Sequence, residues 1–123
     1  MSDTRLTSAL APQHMERQAM ADTLGILVTT DKHLDSVIEL VNAAHGKGKE
    51  VQAFFTGTAV HLTLQPDFAK LVGKAKLWIC DVSFRGNGYH GREEEVPGVG
   101  YKDFATQGRN AEMLAEMDRY VVF

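Results

Sequence analysis

Short apolar runs alternate along the chain with longer stretches in which apolar residues recur at helical spacing. Leu24 to Thr29 is the first run, rich in Leu, Ile and Val, and predicts a strand. Leu34, Val37, Ile38, Val41 and Ala44 then recur at i, i+3, i+4, i+7 and i+10. That stripe predicts a helix capped by Thr30 or Asp31 and ended by Gly46 and Gly48, with Lys32, Asp35 and Glu39 toward water. Val51 to Phe55 predicts a second strand. Gly57 opens a turn, and Thr58 to Leu64 begins a second helical stretch. Pro66 suits a further helix start, Phe68, Leu71 and Val72 supply its apolar face, and Gly73 stops it. Leu77 to Cys80 is the third strand, a run short enough to be buried on both faces of a sheet. Phe84 to Gly98 shows no period and carries four glycines, one proline and three successive glutamates, so it reads as a loop. Val99 to Phe104 is a weak fourth strand. A helix from about Arg109 to Met117, buried through Ala111, Leu114 and Ala115, leads into a fifth strand from Arg119 to Phe123.

Strands alternating with helical patterns are the signature of βαβ units and a parallel sheet. With right-handed crossovers the expected fold is α/β: a single flavodoxin-like three-layer domain with a five-stranded parallel sheet in the order 2-1-3-4-5. There are no internal repeats and no linker, so 23–123 reads as one domain. Residues 1–22 read as a leader, since Pro12 interrupts any helix through its first half. Either a flexible tail or an arm covering a neighbouring subunit fits it.

Composition narrows the class. The chain has 123 residues, 44% hydrophobic and 24% charged, which suits one domain with one core. A net charge of -3 argues against a nucleic-acid partner. A single cysteine cannot form an internal disulfide, a CxxC site or a zinc site of several cysteines, and it fits a reducing compartment. No stretch approaches the ~20 apolar residues of a membrane span. Leu10-Ala11 runs straight into Pro12-Gln13-His14, which is no signal-peptide core. The expected location is therefore cytoplasmic.

Several residues are candidates for chemistry. Gly86-Asn87-Gly88-Tyr89-His90-Gly91 matches G-x-G-x-x-G. It follows the third strand instead of the first, and Glu93 to Glu95 directly after it would repel a diphosphate, so it reads as a loop. Those glutamates read as solvated charge, and His90 beside them is too sparse for a metal site. A receiver domain would need a phosphoryl-accepting Asp where Cys80 stands. Cys80 lies at the carboxyl end of the third strand, where open α/β sheets gather their chemistry. His33 and His61 follow the first and second strands and share that edge. In the order 2-1-3-4-5 the first and third strands are neighbours, so His33 would approach Cys80 as an activating base. Asp81 would raise the thiol pKa, while Arg85 and the loop amides would lower it. The plain alternative is that Cys80 only fills core space, as free cysteines often do.

Three places carry a family likeness. Leu77-Trp78-Ile79-Cys80 is followed by Arg85-Gly86. Phe54-Phe55 leads through Gly57 to Val60. The chain closes on Leu114-Ala115-Glu116-Met117-Asp118-Arg119-Tyr120-Val121-Val122-Phe123. Across 24–123 the sequence resembles the DsrE/TusD-like (DsrE/DsrF-like) sulfur-relay family. The resemblance implies a flavodoxin-like homo-oligomer in which Cys80 takes up sulfur as a persulfide from a donor protein and passes it to an acceptor protein, without metal or organic cofactor. It also implies a partly accessible thiol. Other members lack the cysteine and serve as non-catalytic subunits, so a binding module with a buried cysteine is the alternative. The leader and the glutamate-containing loop after Arg85 depart from the family pattern.

Overall fold

A computed structural model describes residues 22–123; the leader, apart from Asp22, lies outside them. Five strands, β1 (Thr23–Val28), β2 (Glu50–Phe55), β3 (Lys76–Cys80), β4 (Phe104–Ala105) and β5 (Arg119–Val122), form one sheet in which every pairing is parallel. Among the described residues three α-helices, α1 (Leu34–Gly46), α2 (Asp81–Gly86) and α3 (Gln107–Glu116), and four 3₁₀ segments connect them. The expected α/β class and five-stranded parallel sheet are present. Among the described residues no helix is long and apolar enough to cross a membrane.

The strand order is β4-β3-β2-β1-β5, which corrects the expected 2-1-3-4-5. The physical reason lies in where the connections pack. Residues of α1, of the 3₁₀ segments Gly57–Leu64 and Pro66–Leu71, and Phe84 and Val96 all join one core with Ile26, Val28, Ala53, Phe55, Leu77 and Ile79. A right-handed crossover covers a face set by the direction in which it steps along the sheet. Three connections on one face therefore step the same way, from β1 to β2 to β3 to β4. Among the described residues only α3 packs on the opposite face, where its Met113 meets Phe54 and Cys80. That crossover steps backward and lays β5 beside β1.

Local structure departs from the pattern in four places. The two stretches around Pro66 are 3₁₀ and not α-helical, because their apolar residues crowd together and proline withholds a donor between them. The loop after Phe84 begins as α2 and is pinned by buried Phe84 and Val96, with glycines at φ 91° and 92° (Gly88 and Gly91) making its turns. The fourth strand shrinks to two residues, because Asp103 turns back to accept from the Gly100 N–H at 2.8 Å and closes a 3₁₀ turn just before it. Finally, α3 is buried through Met113, while Ala111, Leu114 and Ala115 face solvent. The helix lies where its spacing predicts, and its buried face differs from the expected one. Two methionines decide it, Met113 against Phe54 and Met117 against Gly25.

Gly25 is the close-approach point of that packing. A Cβ there would lie 2.9 Å from Met117 Cγ and 3.2 Å from Tyr120 Cδ1. Gly25→Ala is expected to destabilise the fold by about 1–3 kcal/mol through overpacking. Denaturant unfolding should show a lower midpoint at unchanged slope. Gly46→Ala, where a Cβ meets nothing within 4 Å, is the control and should leave the midpoint level or raise it.

Candidate functional site

The connection after β3 packs on one face of the sheet and the connection after β4 on the other. The carboxyl ends of β3 and β4 are therefore the switch point, the place where open α/β sheets carry ligands. Cys80 ends β3 and is in register with Ala105 of β4. The expected switch point between the first and third strands does not exist, because β2 stands between them.

Three polar side chains from three connections close over the sulfur. Thr56 comes from the turn after β2, Ser83 from the first turn of α2, and Gln107 from the first turn of α3. Gln107 Nε2 donates to Thr56 Oγ1 at 2.9 Å and to Cys80 Sγ at 3.9 Å. The Gly57 N–H donates to Ser83 Oγ at 2.9 Å, and Thr56 and Ser83 hydroxyls lie 3.3 Å apart. With an Oγ lone pair taken by Gly57, the Ser83 hydroxyl hydrogen is free to point at sulfur. Gly57 holds φ 58°, and a Cβ there would press on the Thr29 carbonyl at 3.0 Å, so glycine is what allows the amide to reach Ser83.

Burial alone would push the Cys80 thiol up. Hydrogen bonds from the Ser83 hydroxyl and backbone, Thr56 and Gln107 outweigh it and hold the thiol below its ordinary value. The expected partial accessibility is absent: Cys80 is 4% exposed, in a core cluster with Phe54 and Met113.

The other candidates lie elsewhere. His33 stands just before α1, makes no side-chain cap and has its ring near that of Phe123, so the expected approach to Cys80 is replaced by β2 and its side chains. His61 Nδ1 hydrogen-bonds the Tyr89 hydroxyl, with the rings edge to face. Arg85 pairs with Asp81 at 2.9 Å along α2, so each answers the other's charge and neither acts on the thiol. Among the described residues no cluster of three or more His, Cys, Asp or Glu is placed to hold a metal ion. Thr56, Ser83 and Gln107 were missed in the sequence. Only Ser83 carried a local signal, three residues beyond the cysteine at the start of a helix; the other two reach the site through the topology.

Neither the models of known protein families nor the curated proteins include a match to this chain.

The site makes a titration prediction. Ser83→Ala removes the hydroxyl donor and leaves the burial cost, so the Cys80 pKa is expected to rise. Thiolate absorbance against pH should show the midpoint moving upward from the wild-type value. An unmoved or lowered midpoint would mean that the hydroxyl does not stabilise the thiolate.

Proposed function

We propose that the protein is a sulfur carrier of the DsrE/TusD-like kind, cytoplasmic, with Cys80 as the carrying atom. One observation carries this reading: the sulfur sits at the β3/β4 switch point inside a ring of hydrogen-bond donors that favours the thiolate. A cysteine kept only to fill space gains nothing from such donors, whereas the thiolate is the nucleophile.

In the first step the Cys80 thiolate attacks the outer sulfur of a donor persulfide, R–S–SH. A new S–S bond forms to Cys80, the S–S bond of the donor breaks, and R–S⁻ leaves with the electron pair. The product is Cys80–S–SH. Transfer onward is the same displacement, with an acceptor cysteine as attacking thiolate. Each step exchanges one S–S bond for another, so no oxidant or reductant is consumed. Donor and acceptor proteins are the partners this requires.

The 4% exposure of Cys80 favours a second reading, a non-catalytic DsrE-like subunit or binding module with a structural cysteine. Native mass spectrometry after incubation with a low-molecular-weight persulfide separates the two. The carrier is expected to gain the mass of one sulfur, and Cys80→Ser to gain nothing. If the thiol reacts only after denaturation, the carrier reading fails and the structural one replaces it.

A further inference from the structure

The string Gly86-Asn87-Gly88-Tyr89-His90-Gly91 ends α2. The Gly88 N–H donates to the Arg85 carbonyl at 3.0 Å and the Tyr89 N–H to the Phe84 carbonyl at 3.1 Å, with Gly88 at φ 91°. This is a Schellman stop, whose left-handed position glycine takes without strain. Its usual apolar contact is present too, since the Tyr89 and Phe84 rings lie 5.3 Å apart. The stop therefore fixes the direction of the Tyr89 side chain. Its hydroxyl meets Nδ1 of His61, with the two rings edge to face at 5.4 Å. The Arg92 guanidinium, paired with Glu95, lies 5.4 Å from the Tyr89 ring.

His61 belongs to the 3₁₀ segment Gly57–Leu64, which opens with the Gly57 that donates to Ser83. The connections after β2 and β3 are thus tied at successive points. Nearest the sulfur, the Gly57 N–H holds Ser83 Oγ at 2.9 Å. Next, Asn87 Nδ2 donates to the Ser83 carbonyl at 2.7 Å and reaches the Gly57 carbonyl at 3.5 Å. Farthest out stands the His61–Tyr89 bond. Burial of Val60 and Phe84 in one core holds the two pieces together, but apolar contact is non-directional. Neither piece is rigid alone. α2 has six residues, well under the ~12–15 that an isolated helix needs, and 3₁₀ geometry is poorer still. Their alignment depends on the directional links. The two Gly57 links are exposed to water, whereas the His61–Tyr89 bond is half-buried.

We propose that His61 and Tyr89 are positioning residues for the Cys80 site: their bond fixes the 3₁₀ segment against α2 and so keeps the Thr56 and Ser83 hydroxyls on the sulfur. Neither residue is among the groups that hydrogen-bond the sulfur, so both act through Gly57 and Ser83. The phenol donates to a neutral imidazole nitrogen and accepts from a protonated one, so the link holds in either state of the ring. The use made of this placement rests on the carrier reading above; the placement itself does not.

The influences on the Cys80 thiol are burial and hydrogen bonds, with no charged group among them, so its titration reports the donors directly. Tyr89→Phe keeps the ring against Phe84 and removes only the hydroxyl. His61→Leu removes the other partner. In the full chain each is expected to lower the thiolate fraction about threefold at pH values below the wild-type midpoint, read from thiolate absorbance. Each should also speed hydrogen exchange at the Gly57 amide. The double variant should do no more than either single one, since the same bond is lost in all three. Glu95→Gln, which releases Arg92 in the same loop, is the control and should change neither reading. A folded Tyr89→Phe protein in which either reading stays at its wild-type value overturns the inference. So do effects that add in the double variant, or a shift of the same size in Glu95→Gln. Should His61→Leu not fold, Tyr89→Phe, the smaller change, carries the test with its control. Failure of the carrier reading looks different: wild-type protein then takes up no sulfur from a low-molecular-weight persulfide, while the Tyr89→Phe shifts stand.

Discussion

The handedness of parallel crossovers is the constraint on which this structure depends. A connection that leaves one strand and returns to the next must pass over the face dictated by its direction. Once the apolar residues of α1, the 3₁₀ segments and Phe84 commit to one face, β1 to β4 can only advance in sequence. Once Met113 commits α3 to the other face, β5 must return to the far side of β1. The divergence of connections falls between β3 and β4, which puts Cys80 at the switch point. The return of β5 makes it, among the described residues, the edge strand opposite β4.

At Cys80 two effects of opposite sign meet. Taking a thiol out of water penalises its charged form, and this is the largest single influence on it. The opposing influence is divided among the Ser83 hydroxyl and backbone, Thr56 and Gln107, none of which matches it alone. The site is therefore cooperative in a simple sense. Thr56 accepts from Gln107 and lies beside Ser83, and Ser83 accepts from Gly57, so each donor is oriented by another. Asp81, which a reading of neighbours in the chain would blame for raising the pKa, is turned outward along α2 and held by Arg85.

What could be read from the sequence was whatever depends on local period. Four of the five strands, α1 with its buried stripe, and the place of Cys80 at the end of β3 follow from apolar spacing and glycine punctuation, whereas β4 does not. What could not be read depends on pairing at a distance. The spacing of apolar residues is the same whether a crossover steps left or right, so the order of strands was open, and with it the neighbour of Cys80. The error over His33 descends from that one point. The face of α3 was misread for a related reason: Ala111, Leu114 and Ala115 form as regular a stripe as Met113 and Met117, and only contact with Gly25 and Phe54 selects between them. Gln107 and Thr56 are 51 residues apart in the chain and carry no mark of their meeting.

The polar side chains around Cys80 do not all depend on one another. From α3, Met113 packs against Cys80 and the Gln107 amide reaches its sulfur, held by one ordinary hydrogen bond to Thr56 and one long contact to sulfur. A neutral hydrogen bond contributes a net ~0.5–1.5 kcal/mol, because water replaces it on opening. Turning Gln107 aside is thus a side-chain event and leaves Met113 and the Asn110–Tyr120 bond, which anchor α3 further along, in place. Thr56 and Ser83 stay with the sulfur in that motion, since the Gly57 amide holds Ser83 independently of α3. Most of the donors that favour the thiolate therefore do not depend on Gln107, and the Ser83 hydroxyl and backbone and Thr56 keep their place beside the sulfur without it.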